Sequence, residues 1–176
     1  MIPESGRLWL SAVPTFLGLV LTLWALLSTP TLIVFPTLML SGLSIWISAV
    51  DACNKRIPNL AVIAVACTGL LSGAAQDPLE PISLTAAGIF AYTLFWAIGE
   101  VTFRRTGREY LGLGDAKLVG AAGCCVGILG LPSVVLIASL SGIVSYLLVR
   151  PDSGLPFGPS LCFGLLAVWT SGPILI

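Results

Sequence analysis

The chain has 176 residues, of which 57% are hydrophobic and only 9% are charged, and its mean hydropathy is +1.04. Soluble domains carry about 25% charged residues, so this composition excludes an ordinary soluble domain and indicates an integral membrane protein. The chain has no histidine, which excludes Ser-His-Asp and Cys-His catalysis and the H-E-x-x-H zinc site.

Long uncharged stretches predict the membrane spans. A span takes about 20 apolar residues, so the charge-free runs 8–50 and 118–149 are each long enough for two passes, divided at Pro30 and at Pro132. The sequence predicts an all-α, polytopic membrane helix bundle of six to seven transmembrane helices, forming one domain over 1–176. In chain order the spans are expected at 8–28, 31–50, 59–76, 82–103, 113–130, 133–149 and 157–176.

The basic residues predict the orientation. They all fall at one membrane face: Arg7, Lys55, Arg56, Arg104, Arg105, Arg108, Lys117 and Arg150. The positive-inside rule makes that face cytoplasmic, which predicts a multi-pass protein of the cytoplasmic (inner) membrane with its N-terminus in the cytoplasm. The opposite face receives only acidic residues, Asp77 and Glu80. Asp51 and Asp115 both fall at the cytoplasmic boundary.

Several other site classes lack their signals. None of the five cysteines forms C-x-x-C, so a zinc site of ordinary spacing is not expected. No phosphate-binding loop and no basic tract long enough for nucleic acid occur. We expect neither a metal nor a cofactor, and no nucleic-acid partner. We also expect the first segment to be retained, because its apolar run is too long for a signal peptide.

Asp51 and Asp115 are the candidate catalytic residues. A carboxylate at a membrane boundary is costly to keep, which makes it a functional-site hypothesis. Two carboxylates that share a proton and a water can hydrolyse a peptide bond, although the sequence does not show that these two meet. Two structural alternatives stay open, since Asp115 could be a helix N-cap and Asp51 could pair with Lys55.

The expected helix positions suggest different roles for the two aspartates. Asp51 falls at the C-terminal end of its helix, where the helix dipole disfavours negative charge, and Asp115 falls near an N-terminal end, where the dipole favours it. Our hypothesis is that Asp51 is more often protonated and Asp115 more often ionised.

Residues near Asp115 are the candidate substrate-binding residues. Gly112 and Gly114 permit unusual dihedrals and close backbone approach, which suits an extended substrate strand. Lys117 could hold a substrate carbonyl, or it could serve only as a topology signal. Glu109 lies in the basic loop and could attract a basic leader sequence.

Three motifs in order resemble those of the type IV prepilin peptidases, membrane aspartic proteases of the G-x-G-D class. Asp51 precedes Ile57-Pro58-Asn59 as in that family's D-x5-I-P-N pattern. The stretch 112–118 reads G-L-G-D-A-K-L and resembles its G-x-G-D-x-K-[LM], and 156–159 reads P-F-G-P like the start of its last span. The resemblance extends from about 31 to 176.

The resemblance implies a protease that uses Asp51 and Asp115 to remove the basic leader of type IV prepilins or pseudopilins at the cytoplasmic face. Its partners would be that substrate and the lipid bilayer; the oligomeric state and the particular prepilin stay open. The chain lacks the cysteine-rich insert associated with N-methylation, so it resembles the short form of the family. Two other classes stay open: a proton-coupled transporter that uses boundary carboxylates, and a membrane scaffold without enzymatic activity.

Overall fold

A computed structural model describes residues 31–54, 56–107, 112–149 and 157–172, together with 16, 18–20, 22 and 23. The described residues of the N-terminal segment are helical, and most of the predicted span 8–28 lies outside the described residues. Five further helices follow, and the described part of the chain contains no strand. They are α1 (Thr31–Asn54), α2 (Asn59–Gln76), α3 (Glu80–Thr106), α4 (Leu113–Val149) and α5 (Gly158–Ser171).

The helices begin and end close to the predicted spans. α3 extends beyond the predicted 82–103 and ends at Gly107, whose φ of 67° is a left-handed value that glycine adopts readily. α5 is shorter than the predicted 157–176. α1 continues past the predicted end at residue 50, so Asp51 lies inside the last turn of the helix rather than after it.

The chain reverses direction inside α4, at Gly127 rather than at the predicted break near Pro132. Gly127 has φ 67° and ψ −177°, a combination that essentially only glycine adopts. Lys117 lies at the Asn59 end of α2, and Gly142 lies against Phe157 at the start of α5, at the same end of the bundle. The two arms of α4 therefore form a hairpin. The bend lies a few residues before the predicted break at Gly130-Leu131-Pro132, and Pro132 is accommodated inside the second arm.

α4 is the centre of the bundle and packs against α2, α3 and α5. Glycines let the helices approach closely, as is typical of helix pairs in membranes. A Cβ added at Gly123 would lie 2.9 Å from Gly88 Cα across the α3–α4 contact. A Cβ added at Gly164 would lie 2.6 Å from the carbonyl oxygen of Val134 across the α4–α5 contact.

The outer surface is apolar, which agrees with a protein that spans a membrane. Large side chains such as Leu60, Leu71 and Ile89 are more than half exposed, whereas a soluble monomer rarely exposes extended apolar patches. Among the described residues, four helical stretches are long and apolar enough to span a bilayer. They are Val34–Asn54, Asn59–Gln76, Glu80–Thr106 and Leu113–Leu147. The number of passes and the orientation stay predictions.

Candidate active site

Asp51 is buried, with 6% of its surface exposed, where α1 ends against the start of α5. Its Oδ2 accepts a hydrogen bond of 3.0 Å from the backbone N–H of Gly158. Gly158 is the first residue of α5, and the N–H groups of a helix's first turn have no partner within the helix. Asp51 therefore satisfies one of them from another helix.

This contact changes the electrostatic surroundings expected for Asp51. Asp51 belongs to the C-terminal turn of α1, but its carboxylate lies at the N-terminus of α5, where a helix dipole stabilises negative charge. Asp115 lies in the first turn of α4 and has the same advantage. The helix dipoles therefore do not indicate which of Asp51 and Asp115 is the acid and which is the base.

Asp115 lies at the third position of α4 and reaches back to the residue before the helix. The carbonyl oxygen of Gly112 accepts the first helical hydrogen bond, 3.2 Å from the N–H of Ala116, which makes Gly112 the cap residue. The backbone N–H of Gly112 donates to the carboxylate of Asp115, as in the second half of a capping box. Asp115 thus supports the helix start from inside the helix and is not itself the N-cap.

The loop that follows α1 packs against the first turn of α4. A Cβ added at Gly114 would lie 3.3 Å from Cβ of Ile57, so the backbone of the second motif lies directly against a side chain of the first. The charges of Asp51 and Asp115 are near enough to repel each other. The structure therefore places the two carboxylates, which are distant in sequence, near each other.

The candidate substrate-binding residues lie in different surroundings from one another. Lys117 Nζ donates a 3.0 Å hydrogen bond to Oδ1 of Asn59, at the start of α2. Residues two positions apart on a helix point to opposite sides, so Lys117 points away from Asp115. Glu109 lies outside the described residues. Gly112 and Gly114 both lie beside Asp115, and their contact with a substrate strand stays a prediction.

Gly158 is the residue that sequence reasoning missed. A Cβ added there would lie 2.6 Å from Oδ2 and 3.0 Å from Cγ of Asp51, so the close contact requires glycine. The P-F-G-P stretch contained a hint of this role, because a helix start does not by itself require a glycine at this position. Its partner is far away in the sequence, and only packing of α1 against α5 reveals it.

A groove of about 290 Å³ opens beside Gly112, between the second half of α3 and the start of α4. Its walls include the rings of Phe95, Trp96 and Phe103. Glu100 also lines it and is paired with Arg104 at 2.7 Å. The described parts of the chain contain no cluster of three or more histidine, cysteine or acidic side chains suited to a metal ion.

Comparison with known families assigns the chain. The model of the type IV leader peptidase family matches residues 38–147, which is well over half of the chain. The chain belongs to the type IV leader peptidase family. The matched region contains both Asp51 and Asp115, and it ends before Gly158.

Curated members of this family are similar to the chain over part of their length. The "Prepilin leader peptidase/N-methyltransferase" of Dickeya chrysanthemi is 34% identical over 84% of this chain and 52% of its own. The "Type 4 prepilin-like proteins leader peptide-processing enzyme" of an Escherichia coli strain is 37% identical over 71% of this chain and 48% of its own. The chain thus spans about half the length of the curated relatives it matches. No solved structure matches it.

Proposed function

We propose that the chain is a membrane aspartic endopeptidase that removes the leader peptide of type IV prepilins or pseudopilins. The observation that carries this proposal is that Asp51 and Asp115, on two different helices, lie near enough for their charges to repel each other. Two adjacent carboxylates share one proton more readily than both ionise. Such a pair supplies a base and an acid together, which peptide hydrolysis requires.

In the proposed reaction the ionised carboxylate takes a proton from a water molecule, and the water oxygen attacks the carbonyl carbon of the scissile bond. The protonated carboxyl donates its proton to the carbonyl oxygen, giving a tetrahedral intermediate. When the C–N bond breaks, the leaving nitrogen receives the proton that the base took from water, and one hydroxyl of the intermediate returns its proton to the carboxylate that acted as the acid. The pair then holds one proton again.

We treat Asp51 and Asp115 as a unit rather than assigning the acid and the base separately. Each carboxylate accepts a backbone N–H bond at a helix N-terminus, from Gly158 and from Gly112 respectively. Because the two environments are similar in this respect, no difference in helix dipole assigns the shared proton to one of them. Coupled groups of this kind titrate as a pair.

The groove beside Gly112 is a suitable place for the substrate chain near the scissile bond. It adjoins the cap residue of Asp115, and its aromatic walls fit an apolar side chain. A volume of about 290 Å³ accommodates one large side chain of the substrate. We propose that an apolar residue flanking the scissile bond lies there, with Gly112 and Gly114 against the substrate backbone.

The proposed substrate class rests on the names of the relatives, and the proposed membrane face rests on the distribution of basic residues in this chain. Both relatives described above carry names that specify prepilins or prepilin-like proteins. The basic residues of the chain cluster near the two aspartates in the predicted topology, which would make this the cytoplasmic face of the inner membrane. We place leader cleavage there.

The proposal is tested with the protein purified in lipid bilayers and a prepilin that carries its basic leader. We expect one cut between the leader and the hydrophobic helix, identified by mass spectrometry of both products. A matched prepilin with a neutral leader should be cut less efficiently. Intact prepilin after long incubation would contradict the proposal, and proton flux without cleavage would favour a transporter instead.

A further inference from the structure

One face of α1 carries a line of buried hydroxyl groups that ends at Asp51. Its members are Thr37, Ser41, Ser44 and Ser48, and all four are buried. They are spaced alternately four and three residues apart, and Asp51 continues the spacing, so all five side chains share one face of the helix. Hydroxyls in the interior of a membrane protein need partners, because neither lipid nor apolar side chains supply any.

The two hydroxyls farther from Asp51 have partners within the protein. Ser41 donates to the carbonyl oxygen of Thr37 at 2.7 Å, and its hydroxyl also lies 2.8 Å from that of Thr22. Thr37 Oγ1 accepts a 3.0 Å hydrogen bond from Nε1 of Trp169. This end of the line is therefore satisfied without any bound molecule.

The two hydroxyls nearer to Asp51 differ from these. Ser44 is 3% exposed and Ser48 is fully buried, and neither Oγ has an oxygen or nitrogen hydrogen-bond partner in the described part of the chain. The thiol of Cys162 interacts with both hydroxyls, but a thiol is only a weak donor and acceptor and does not replace an oxygen or nitrogen partner. A buried hydroxyl without a partner is unfavourable, so two in succession on one helix point to a ligand that can hydrogen-bond to both.

A small cavity lies against these two hydroxyls, between α1, α5 and the helical residues of the N-terminal segment. Its lining includes Ser41, Ser44, Ser48, Pro159 and Cys162. The space for a water-sized molecule is about 10 Å³, which is about the least that holds one water. A buried water also needs two to four polar partners, and the serine hydroxyls of the wall supply them.

We propose that Ser44 and Ser48 form a binding site for a buried water molecule, and that the hydrated turn of α1 positions Asp51. Ser48 precedes Asp51 by one helical turn on the same face. Pro159 lines the cavity and follows Gly158, whose N–H group binds Asp51. A water between α1 and α5 fixes the spacing of the two helices that hold this carboxylate. The positioning role rests on the proposed function, whereas the water site does not.

The water site is tested first, without any activity measurement. Magnetisation transfer from water to protein is recorded by solid-state NMR on the full chain in bilayers. We expect transfer to the Ser44 and Ser48 side chains but not to Ser145, a buried serine whose hydroxyl donates to the carbonyl oxygen of Ser141. Equal, background-level transfer at all three serines would overturn the site.

Thermal stability gives a second readout, because the melting temperature of Ser44→Ala should shift in opposite directions with and without a bound water. If water bonds to Ser44, the substitution Ser44→Ala removes a satisfied hydrogen bond and lowers the melting temperature. If the hydroxyl is unsatisfied, the same substitution relieves a buried polar group and raises the melting temperature, which would contradict the proposal. Ser145→Ala is the control for loss of an ordinary helix hydroxyl.

The positioning role is tested with an isosteric pair at Ser48. Thr and Val have the same shape and differ in the hydroxyl, so Ser48→Thr and Ser48→Val strain the cavity equally. We expect Ser48→Val to lower kcat about fivefold below Ser48→Thr, the factor that one hydrogen bond is worth, with KM unchanged. Equal kcat for the pair would overturn the positioning role, and Ser48→Ala repeats the test without added volume.

The two proposals fail in distinguishable ways. Water transfer to Ser44 and Ser48 in a protein that cleaves no prepilin would refute the proposed function and the positioning role while supporting the water site. Cleavage by a protein without that transfer would refute the water site and leave the peptidase intact.

Discussion

The backbone N–H of Gly158 donates a hydrogen bond of 3.0 Å to Oδ2 of Asp51, a residue 107 positions earlier in the chain. This bond joins the end of α1 to the start of α5 and defines where one of the two candidate catalytic carboxylates lies. It also gives the aspartate a structural partner that the sequence does not reveal. The position of Asp51 therefore depends on the absence of a side chain at residue 158.

The first prediction concerns the absence of a side chain at Gly158. In Gly158→Ala the new Cβ would lie 2.6 Å from Oδ2 of Asp51, so the carboxylate or the start of α5 must move. Misplacement of a catalytic group by about 1 Å costs on the order of a hundredfold in rate, and we expect a loss of that size in prepilin cleavage. The measurement is the rate of leader removal by equal amounts of folded protein.

Gly42→Ala is the matched control for this substitution. Gly42 lies on α1, the helix that carries Asp51, and a Cβ added there meets nothing within 4 Å. Alanine is the better helix former, so this variant should be as stable as the natural chain or slightly more stable, with unchanged activity. If Gly158→Ala cleaved prepilin as fast as Gly42→Ala, the contact between Gly158 and Asp51 would be irrelevant to the reaction.

The second prediction tests the packing of the two motif loops. A Cβ added at Gly114 would lie 3.3 Å from Cβ of Ile57, which is tighter than ordinary contact. We expect Gly114→Ala to destabilise the protein by about 1 kcal/mol through overpacking. Ile57→Val removes a methyl group from the same contact and should restore part of that loss, so a double-mutant cycle in thermal unfolding should show coupling. Strictly additive effects would mean that the loops do not touch.

The third prediction concerns the close approach of α3 and α4. A Cβ added at Gly123 would meet the backbone of Gly88 at 2.9 Å, so Gly123→Leu cannot be accommodated without separating the helices. We expect it to abolish a folded, monodisperse protein in size-exclusion chromatography. Ala86→Leu places the same side chain at an exposed position of α3 and should have no such effect. A folded Gly123→Leu protein would show that this interface is looser than described.

The fourth prediction concerns orientation. The link around Asp77 is expected outside the cytoplasm, and the link after Gly107 is expected inside, because the basic residues gather there. Alkaline phosphatase fused after Asp77 should be active, since it folds only outside the cytoplasm, and the same reporter fused after Gly107 should be inactive. The opposite pattern would place the candidate active site on the other side of the membrane.

Much of the fold follows from hydrophobicity and charge, since a bilayer requires apolar stretches of defined length. α2 coincides with the predicted span at residues 59–76. The chain reversal in α4 lies a few residues before the predicted Gly130-Leu131-Pro132, because Gly127 adopts a backbone conformation that the sequence does not reveal. The turn forms at a residue that can adopt the required backbone dihedrals, and hydropathy does not indicate which residue that is.

The candidate site could be predicted only in part. Motif spacing and the cost of charge near a membrane singled out Asp51 and Asp115, and the electrostatic contact between them agrees with that choice. The pairing of Gly158 with Asp51 and of Lys117 with Asn59 depends on how separate helices pack. A single sequence contains no direct signal of such contacts between helices. The expected placement of Lys117 beside the substrate stays a prediction.

The most direct test of the account is prepilin cleavage by Asp51→Asn and Asp115→Asn, each examined separately. Asparagine is nearly isosteric and its Oδ1 can still accept the N–H of Gly158 or of Gly112, so both variants should fold and reach natural levels. Asp77→Asn, at an exposed position whose Oδ1 accepts the N–H of Leu79, is the control and should cleave normally.

The measurement is the rate of leader removal by each purified variant. We expect a loss of at least about a thousandfold for both Asp51→Asn and Asp115→Asn, because each removes one member of a pair that acts as a unit. Full processing by either variant would contradict the proposed dyad.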